Sequence, residues 1–262
     1  MAQMSLFDTA MTPSAPQAVP QTLARMVSYD SARRQFISEF NHVAPHFHRM
    51  DVFRDFLSLA ASELDLARVM TEENRIQSAK TCERYKPEDL ERFKTMFCMM
   101  VMALDGKFHD FLGSVFMESE LGNGRIGQFF TPYHISSLMA KMLVPGLTEK
   151  LEKKGFVTLD EPTSGAGGMV IAYAEAFLEA GFNPSTQLYV SCTDLDAMAA
   201  DMTFIQLALL GIAAEVKTGN SLSGKTFKTR YTPVFYFNNW EERLKTQHMI
   251  DMMRSFFTEG MH

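Results

Sequence analysis

Glu161-Pro162-Thr163-Ser164-Gly165-Ala166-Gly167-Gly168-Met169 is the stretch on which the reading of this chain turns. A short apolar run, Phe156-Val157-Thr158-Leu159, precedes it, and an apolar-periodic segment from Met169 to Leu178, closed by Gly181, follows it. The pattern predicts strand, glycine turn, helix. Glycines at 165, 167 and 168 let the backbone bend sharply off the strand and bring its N–H groups close to a ligand that any side chain would push away. Further along the chain, a second apolar run, Gln187 to Ser191, leads to Asp194 and Asp196, so an acid stands where a ribose offers its hydroxyl pair. The segment reads as strand 156–160, helix 168–180, strand 187–193, helix 196–210 and strand 212–218. Such alternation predicts an α/β fold of parallel strands with helices packed across them.

Upstream, Gly127-Gln128-Phe129-Phe130-Thr131-Pro132 places Thr131 to cap a helix whose first residue is Pro132, with an apolar face at Ile135, Leu138, Met139 and Met142. The free N–H groups and positive dipole end of such a helix suit a carboxylate. Strand, glycine turn and helix are shared with dinucleotide-binding proteins, but the full set of motifs is more selective. Over roughly 105–225, this segment, the glycine turn, Thr193-Asp194-Leu195-Asp196 with its helix ending Leu209-Leu210-Gly211-Ile212, and Gly219-Asn220-Ser221-Leu222 stand in order. In that order they resemble the adenine-specific DNA methyltransferases of type I restriction systems, the modification-subunit family, in a phage, prophage or plasmid form.

The resemblance implies a Rossmann-like methyltransferase fold whose cofactor is S-adenosylmethionine (SAM). Phe130, Thr131 and Pro132 would bind the methionine end, Glu161 would meet the amino group, and Gly165 and Gly167 would let the turn approach. Asp194 would take the ribose hydroxyls. Asn220 stands where the family has an acid facing the adenine amine; it accepts through its carbonyl oxygen but carries no charge. Transfer to adenine in this family uses an Asn/Asp/Ser-Pro-Pro-aromatic turn after the fourth strand, and no such tetrapeptide occurs in the sequence. The fourth strand is expected at Val234–Phe237, followed by Asn238-Asn239-Trp240. Asn238 is then the candidate acceptor and Trp240 the candidate stacking ring, with a strand end, helix cap and packed tryptophan as the alternative. A helix over 241–257 would leave the sheet at four strands with an open edge, to be covered by the N-terminal helices or a partner. Two functions stay open: methyl transfer to adenine in DNA, and a catalytically silent SAM-binding homologue acting as decoy or regulator of restriction or of the replication clamp.

With 262 residues, 46% apolar and 21% charged, the chain has room for a helical region beside an α/β domain, and the expected division is 1–22 tail, 23–125 helical, 126–262 SAM-binding. Within the proline-containing tail, Gln3-Met4-Ser5-Leu6-Phe7 resembles the peptide by which bacterial proteins dock on the sliding clamp. Net charge of −6 argues against gripping a long duplex unaided, so double-stranded DNA is expected to be held partly through a specificity subunit. Three scattered cysteines, no charged-then-apolar leader and no bilayer-length apolar run point to the cytoplasm. His42, His46 and His48 are not read as a metal site: Pro45 breaks the helix that would align them, and no carboxylate or cysteine has ligand spacing nearby.

Overall fold

Capping side chains fix where the first helices begin. Ser28 accepts from the N–H of Ser31 to start α1 (Tyr29–His42), and Thr71 accepts from Asn74 to start α3 (Glu72–Cys82). Between them, the ring nitrogen Nδ1 of His48 accepts from Met50 at 3.3 Å and opens α2 (Arg49–Leu64). Pro87 opens α4 (Pro87–Gly106), with Glu88 and Asp89 at the positive end of its dipole. Asp110 caps α5 (Phe111–Glu118). The computed structural model describes residues 28–119, 121 and 130–259; the clamp-like peptide Gln3–Phe7 and Gly127, Gln128 and Phe129 lie outside them. Phe36, Phe40, Phe53, Phe56, Phe93, Phe111 and Phe116 are fully buried at the centre of these helices. Phe36 meets Phe56 and Phe111 edge to face, with ring centroids 5.5 and 5.2 Å apart.

The α/β part follows as α6 (Tyr133–Leu143), α7 (Leu147–Lys154), β1 (Val157–Glu161), α8 (Gly168–Glu179), α9 (Pro184–Gln187), β2 (Leu188–Asp194), α10 (Ala197–Leu209), β3 (Ala213–Asn220), β4 (Lys225–Tyr231), α11 (Pro233–Phe237) and α12 (Trp240–Glu259). One sheet of order β1-β2-β3-β4 results, with β1, β2 and β3 parallel and β4 antiparallel to β3. Alternation along each strand sorts its side chains to two faces. Val157, Leu188, Val190, Cys192, Ala214 and Val216 face α8, α10 and the N-terminal helices in one uninterrupted core. Phe156, Ala213 and Tyr189 face Phe235 and Trp240 on the other side.

One expectation is corrected here. Residues 233–237 form helix α11, not a strand, because Pro233 fits the first helical position and Thr232 ends the preceding strand by exchanging side-chain bonds with Ile212 and Ala214. The fourth strand is instead Lys225–Tyr231, and Gly219 is required beneath it, since a Cβ there would stand 2.6 Å from the Lys225 carbonyl oxygen. The apolar face of α6 is turned to the outside. Ile135, Leu138, Met139 and Met142 are exposed by 40, 60, 45 and 75%, while Ser136 and Ala140 are buried. Small residues on α6 bring its backbone close to α8, so the apolar face points outward.

Both sheet edges have neighbours. The β4 edge is tied down by Arg230, which is buried, pairs with Asp201 of α10 and lies 3.5 Å from Asp65 at the end of α2. Beside the β1 edge runs a groove of about 660 Å³ between α7 and α12. Among the described residues no helix is long and apolar enough to cross a membrane, and no group of metal-ligating side chains forms. His42 lies against the Ser38 carbonyl oxygen and His46 against the ring of Phe47, separate from the capping role of His48.

Arg230→Ala is expected to destabilise the fold by about 3–5 kcal/mol, since two buried carboxylates lose their shared cation. Burial already pushes the Asp65 and Asp201 carboxyls up. The deficit should therefore shrink as pH falls through those raised values, where protonation removes the unpaired charges. Urea unfolding across pH reads this; a deficit that grows on acidification would contradict it. In the second layer, Trp240→Ala is expected to cost about 3–5 kcal/mol as a core deletion. An unchanged urea midpoint would show that Trp240 does not hold this layer.

Candidate functional site

The glycine turn leaves the carboxyl end of β1 and is pinned to its neighbours by its own backbone. Ser164 donates its N–H to the Thr193 carbonyl at 2.9 Å, and Gly165 donates to Asp194 Oδ2 at 2.8 Å. The other oxygen of Asp194 accepts from Asp196 at 2.9 Å, and Asp196 in turn caps α10. Gly165 and Gly167 have φ of +56 and +91°, a region that penalises any Cβ. Their empty Cβ positions are occupied from the side: a Cβ on Gly165 would stand 2.9 Å from the ring of Phe130, and one on Gly167 would stand 3.2 Å from Thr203 Oγ1. Thr203 donates to the Gly165 carbonyl at 2.9 Å. Gln206 Nε2 donates to the Ala166 carbonyl at 2.7 Å and to Asp110 Oδ1 at 2.9 Å, while its Oε1 accepts from Leu112 at 3.0 Å.

These contacts enclose a cavity of about 370 Å³ lined by Asp110, Phe130, Thr131, Thr163, Ser164, Gly165, Ala166, Gly168, Met169 and Asp194. Four residues singled out by sequence therefore meet here: Phe130, Thr131, Gly165 and Asp194. Pro132 is itself the cap residue of α6, which begins at Tyr133, so the expectation that Thr131 caps a helix starting at Pro132 is corrected. No side chain caps α6 or α8, which leaves backbone N–H groups at both helix starts. Gly167 lies within the turn without lining the cavity. At the end of β1, Glu161 Oε1 accepts from the N–H of Thr163 at 3.1 Å.

Asn220 is placed differently from its expected role. Its Oδ1 accepts from Leu222 at 3.0 Å and from Ser223 at 3.1 Å, closing the β3–β4 turn and using both lone pairs of the carbonyl oxygen. Asn238 and Trp240 are likewise corrected. Asn238 Nδ2 and Trp240 Nε1 both donate to the Ser185 carbonyl, at 2.9 and 3.1 Å, and Trp240 is fully buried against Phe156 and Tyr189. Ser185 precedes β2, so this pair lies at the amino end of the sheet, roughly 20 Å along a seven-residue strand from the glycine turn. A tryptophan with no exposed face cannot stack on a base.

Burial pushes the Asp194 carboxyl up, opposed by the N–H groups of Asp196, Gly165 and Leu195. Asp110 is likewise pushed up by burial, opposed by its bonds from Gln206 and Gly113. Beside it, burial together with Lys107 and Arg33 holds the His109 imidazole below its usual range. Sequence reasoning missed Asp110, Thr203 and Gln206. For Asp110 a signal existed: an acid at a helix start with Gly113 three residues on, where the carboxylate folds back over a glycine. Thr203 and Gln206 sit inside a mostly apolar helix, as buried polar residues with a bonding duty do.

Comparison with solved structures finds a Listeria monocytogenes protein described as a class I SAM-dependent methyltransferase, at 12% identity and a TM-score of 0.37, covering 71% of this chain and 52% of that one. The methyltransferase subunit of a type I restriction-modification system from Streptococcus thermophilus matches at 14% identity and a TM-score of 0.37, over 70% of this chain and 56% of that one. DrdV, solved in complex with DNA, matches at 18% identity and a TM-score of 0.33, over 70% of this chain and 21% of that one. The chain thus spans about half the length of the first two. No curated protein matches it. The model of one family, described as N-6 DNA Methylase, matches residues 106–251, more than half of the sequence and all of the glycine turn, the Asp194 strand end and the cavity between them. The chain belongs to the N-6 DNA methylase family.

Proposed function

We propose that this protein binds SAM in the cavity at the carboxyl ends of β1 and β2 and serves methyl transfer to the exocyclic amine of adenine in DNA. The observation that carries the reading is the convergence of Thr131, the Gly165 turn and Asp194 on one cavity in a chain of this family. The residues present fit the group. A volume of about 370 Å³ lies within the range of small-molecule sites. Uncapped N–H groups at the starts of α6 and α8 suit a carboxylate. Asp194 accepts an N–H on each oxygen, with the N–H of Leu195 also facing it, and of the four lone pairs of a carboxylate at least one stays free for a ribose hydroxyl.

Bound there, SAM would supply an electrophilic methyl group. The chain's own part is positioning: the Thr203 and Gln206 bonds hold the turn rigid, and the Phe130 ring against Gly165 closes one wall to water. Reaching an adenine amine requires the base to leave the duplex stack. With a net charge of −6 the chain is suited to share DNA contact with a specificity subunit.

A second reading is favoured by the placement of Asn238 and Trp240, which leaves no adenine-holding pair at the cavity from that segment. On this reading the protein binds SAM without transferring its methyl group and acts on restriction or on the replication clamp, the latter through Gln3, Met4, Ser5, Leu6 and Phe7. Radiolabelled SAM and unmethylated duplex DNA separate the two. Label on adenine is expected; saturable binding with no label on DNA would favour the silent homologue, and no binding would reject both. In the same assay format, Asp194→Ala should weaken SAM binding by about tenfold or more, since it removes the acceptor for the ribose and the anchor of Gly165. Unchanged affinity would remove Asp194 from the site.

A further inference from the structure

One buried carboxylate in the cavity wall has an oxygen to spare. Asp110 is 5% exposed and lines the cavity, yet both of its hydrogen bonds fall on Oδ1, from Gly113 N–H at 2.9 Å and from Gln206 Nε2 at 2.9 Å. Among the described residues, none donates to Oδ2 and no lysine or arginine forms an ion pair with the group. Two glycines on different elements leave room for this carboxylate: a Cβ on Gly113 would stand 2.1 Å from Oδ2, and one on Gly168 would stand 3.0 Å from it. An ionised carboxylate out of water with no cation beside it is costly. Its direction is fixed by the two bonds to Oδ1, so Oδ2 is preorganised toward whatever occupies the space next to Gly168.

We propose that Asp110 holds the α-ammonium group of the ligand, Oδ2 accepting a hydrogen bond from it. This rests on the cavity being a SAM site. An amino-acid head carries an ammonium and a carboxylate on one carbon, and the wall offers the complementary pair: Asp110 for the first, and the uncapped N–H groups of α8, which begins at Gly168, for the second. Asp194 faces the same cavity from the end of β2 and is the acid for the ribose. Glu161, to which the family resemblance gives the amino group, does not line the cavity and is engaged with Thr163. A carboxylate on the helical side of the cavity also gives the N-terminal helices a direct part in ligand binding.

Calorimetric titration of the full chain with S-adenosylhomocysteine and with its analogue lacking the α-amino group tests this. Wild-type protein should bind the amine-bearing compound about tenfold to hundredfold more tightly than the analogue, the range of a charge-assisted hydrogen bond. Asp110→Asn, which keeps the Oδ1 acceptor, should bind the two alike while holding the analogue as the wild type does, a built-in check that it is folded. An Asp110→Asn protein that retains the full preference would overturn the assignment. Equal binding of the two compounds by the wild type would overturn it without any variant, and binding of neither would instead reject the cavity as a SAM site, and this role with it.

Discussion

Gln206 is fully buried, and its carboxamide joins α10 to two parts of the chain that are far from it in sequence. Through Nε2 it holds the Ala166 carbonyl of the glycine turn and Asp110 Oδ1, and through Oε1 it receives the N–H of Leu112 at the start of α5. Each such bond contributes about 0.5–1.5 kcal/mol net, but leaving any of these buried partners unpaired costs about 1–3 kcal/mol. The asymmetry makes the network close to all-or-none, so the helical region and the nucleotide-type turn are fixed in one arrangement. Thr203, one helical turn earlier on α10, does the same for the Gly165 carbonyl.

This constraint explains why the helices of residues 29–118 and the sheet share one apolar core instead of forming two. The cavity has one wall from each. Asp110 comes from the cap of α5, Phe130 and Thr131 from the entry to α6, and the remaining residues from the turn after β1, the start of α8 and the last residue of β2. The carboxyl ends of parallel strands are where backbone amides and loop side chains converge in α/β proteins, and the site falls there. At the opposite end Trp240, Asn238 and Ser185 form a packing layer whose polar atoms are bonded to the backbone.

Much of this was legible in the residues. The glycine turn, the first three strands and their two connecting helices follow from hydrophobic period and turn chemistry, with boundaries within a residue or two of those observed. The rest was hidden for physical reasons. Val234–Phe237 has the composition of a strand, but Pro233 and the Thr232 bonds commit it to a helix, while Lys225–Tyr231, mostly polar and at a sheet edge, lacks the apolar signal of a core strand. Asn238 and Trp240 have suitable chemistry at a suitable spacing, and only the fold reveals that they face the wrong end of the sheet. The outward apolar face of α6 was unreadable because Ser136 and Ala140, being small, give no periodic signal although they make the contact. The pairing of Asp110 with Gln206 was missed because the two lie 96 positions apart: α5 and α10 meet only in the folded chain.

Each role proposed for these residues requires SAM to bind in the cavity between Asp110, the Gly165 turn and Asp194. Hydrogen–deuterium exchange with and without S-adenosylhomocysteine locates that place directly. Added protection is predicted in peptides spanning 110–113, 131–136 and 163–170, with no change around Ser185 and Trp240. Protection centred on 185 and 238–240, with the glycine turn unaffected, would contradict it.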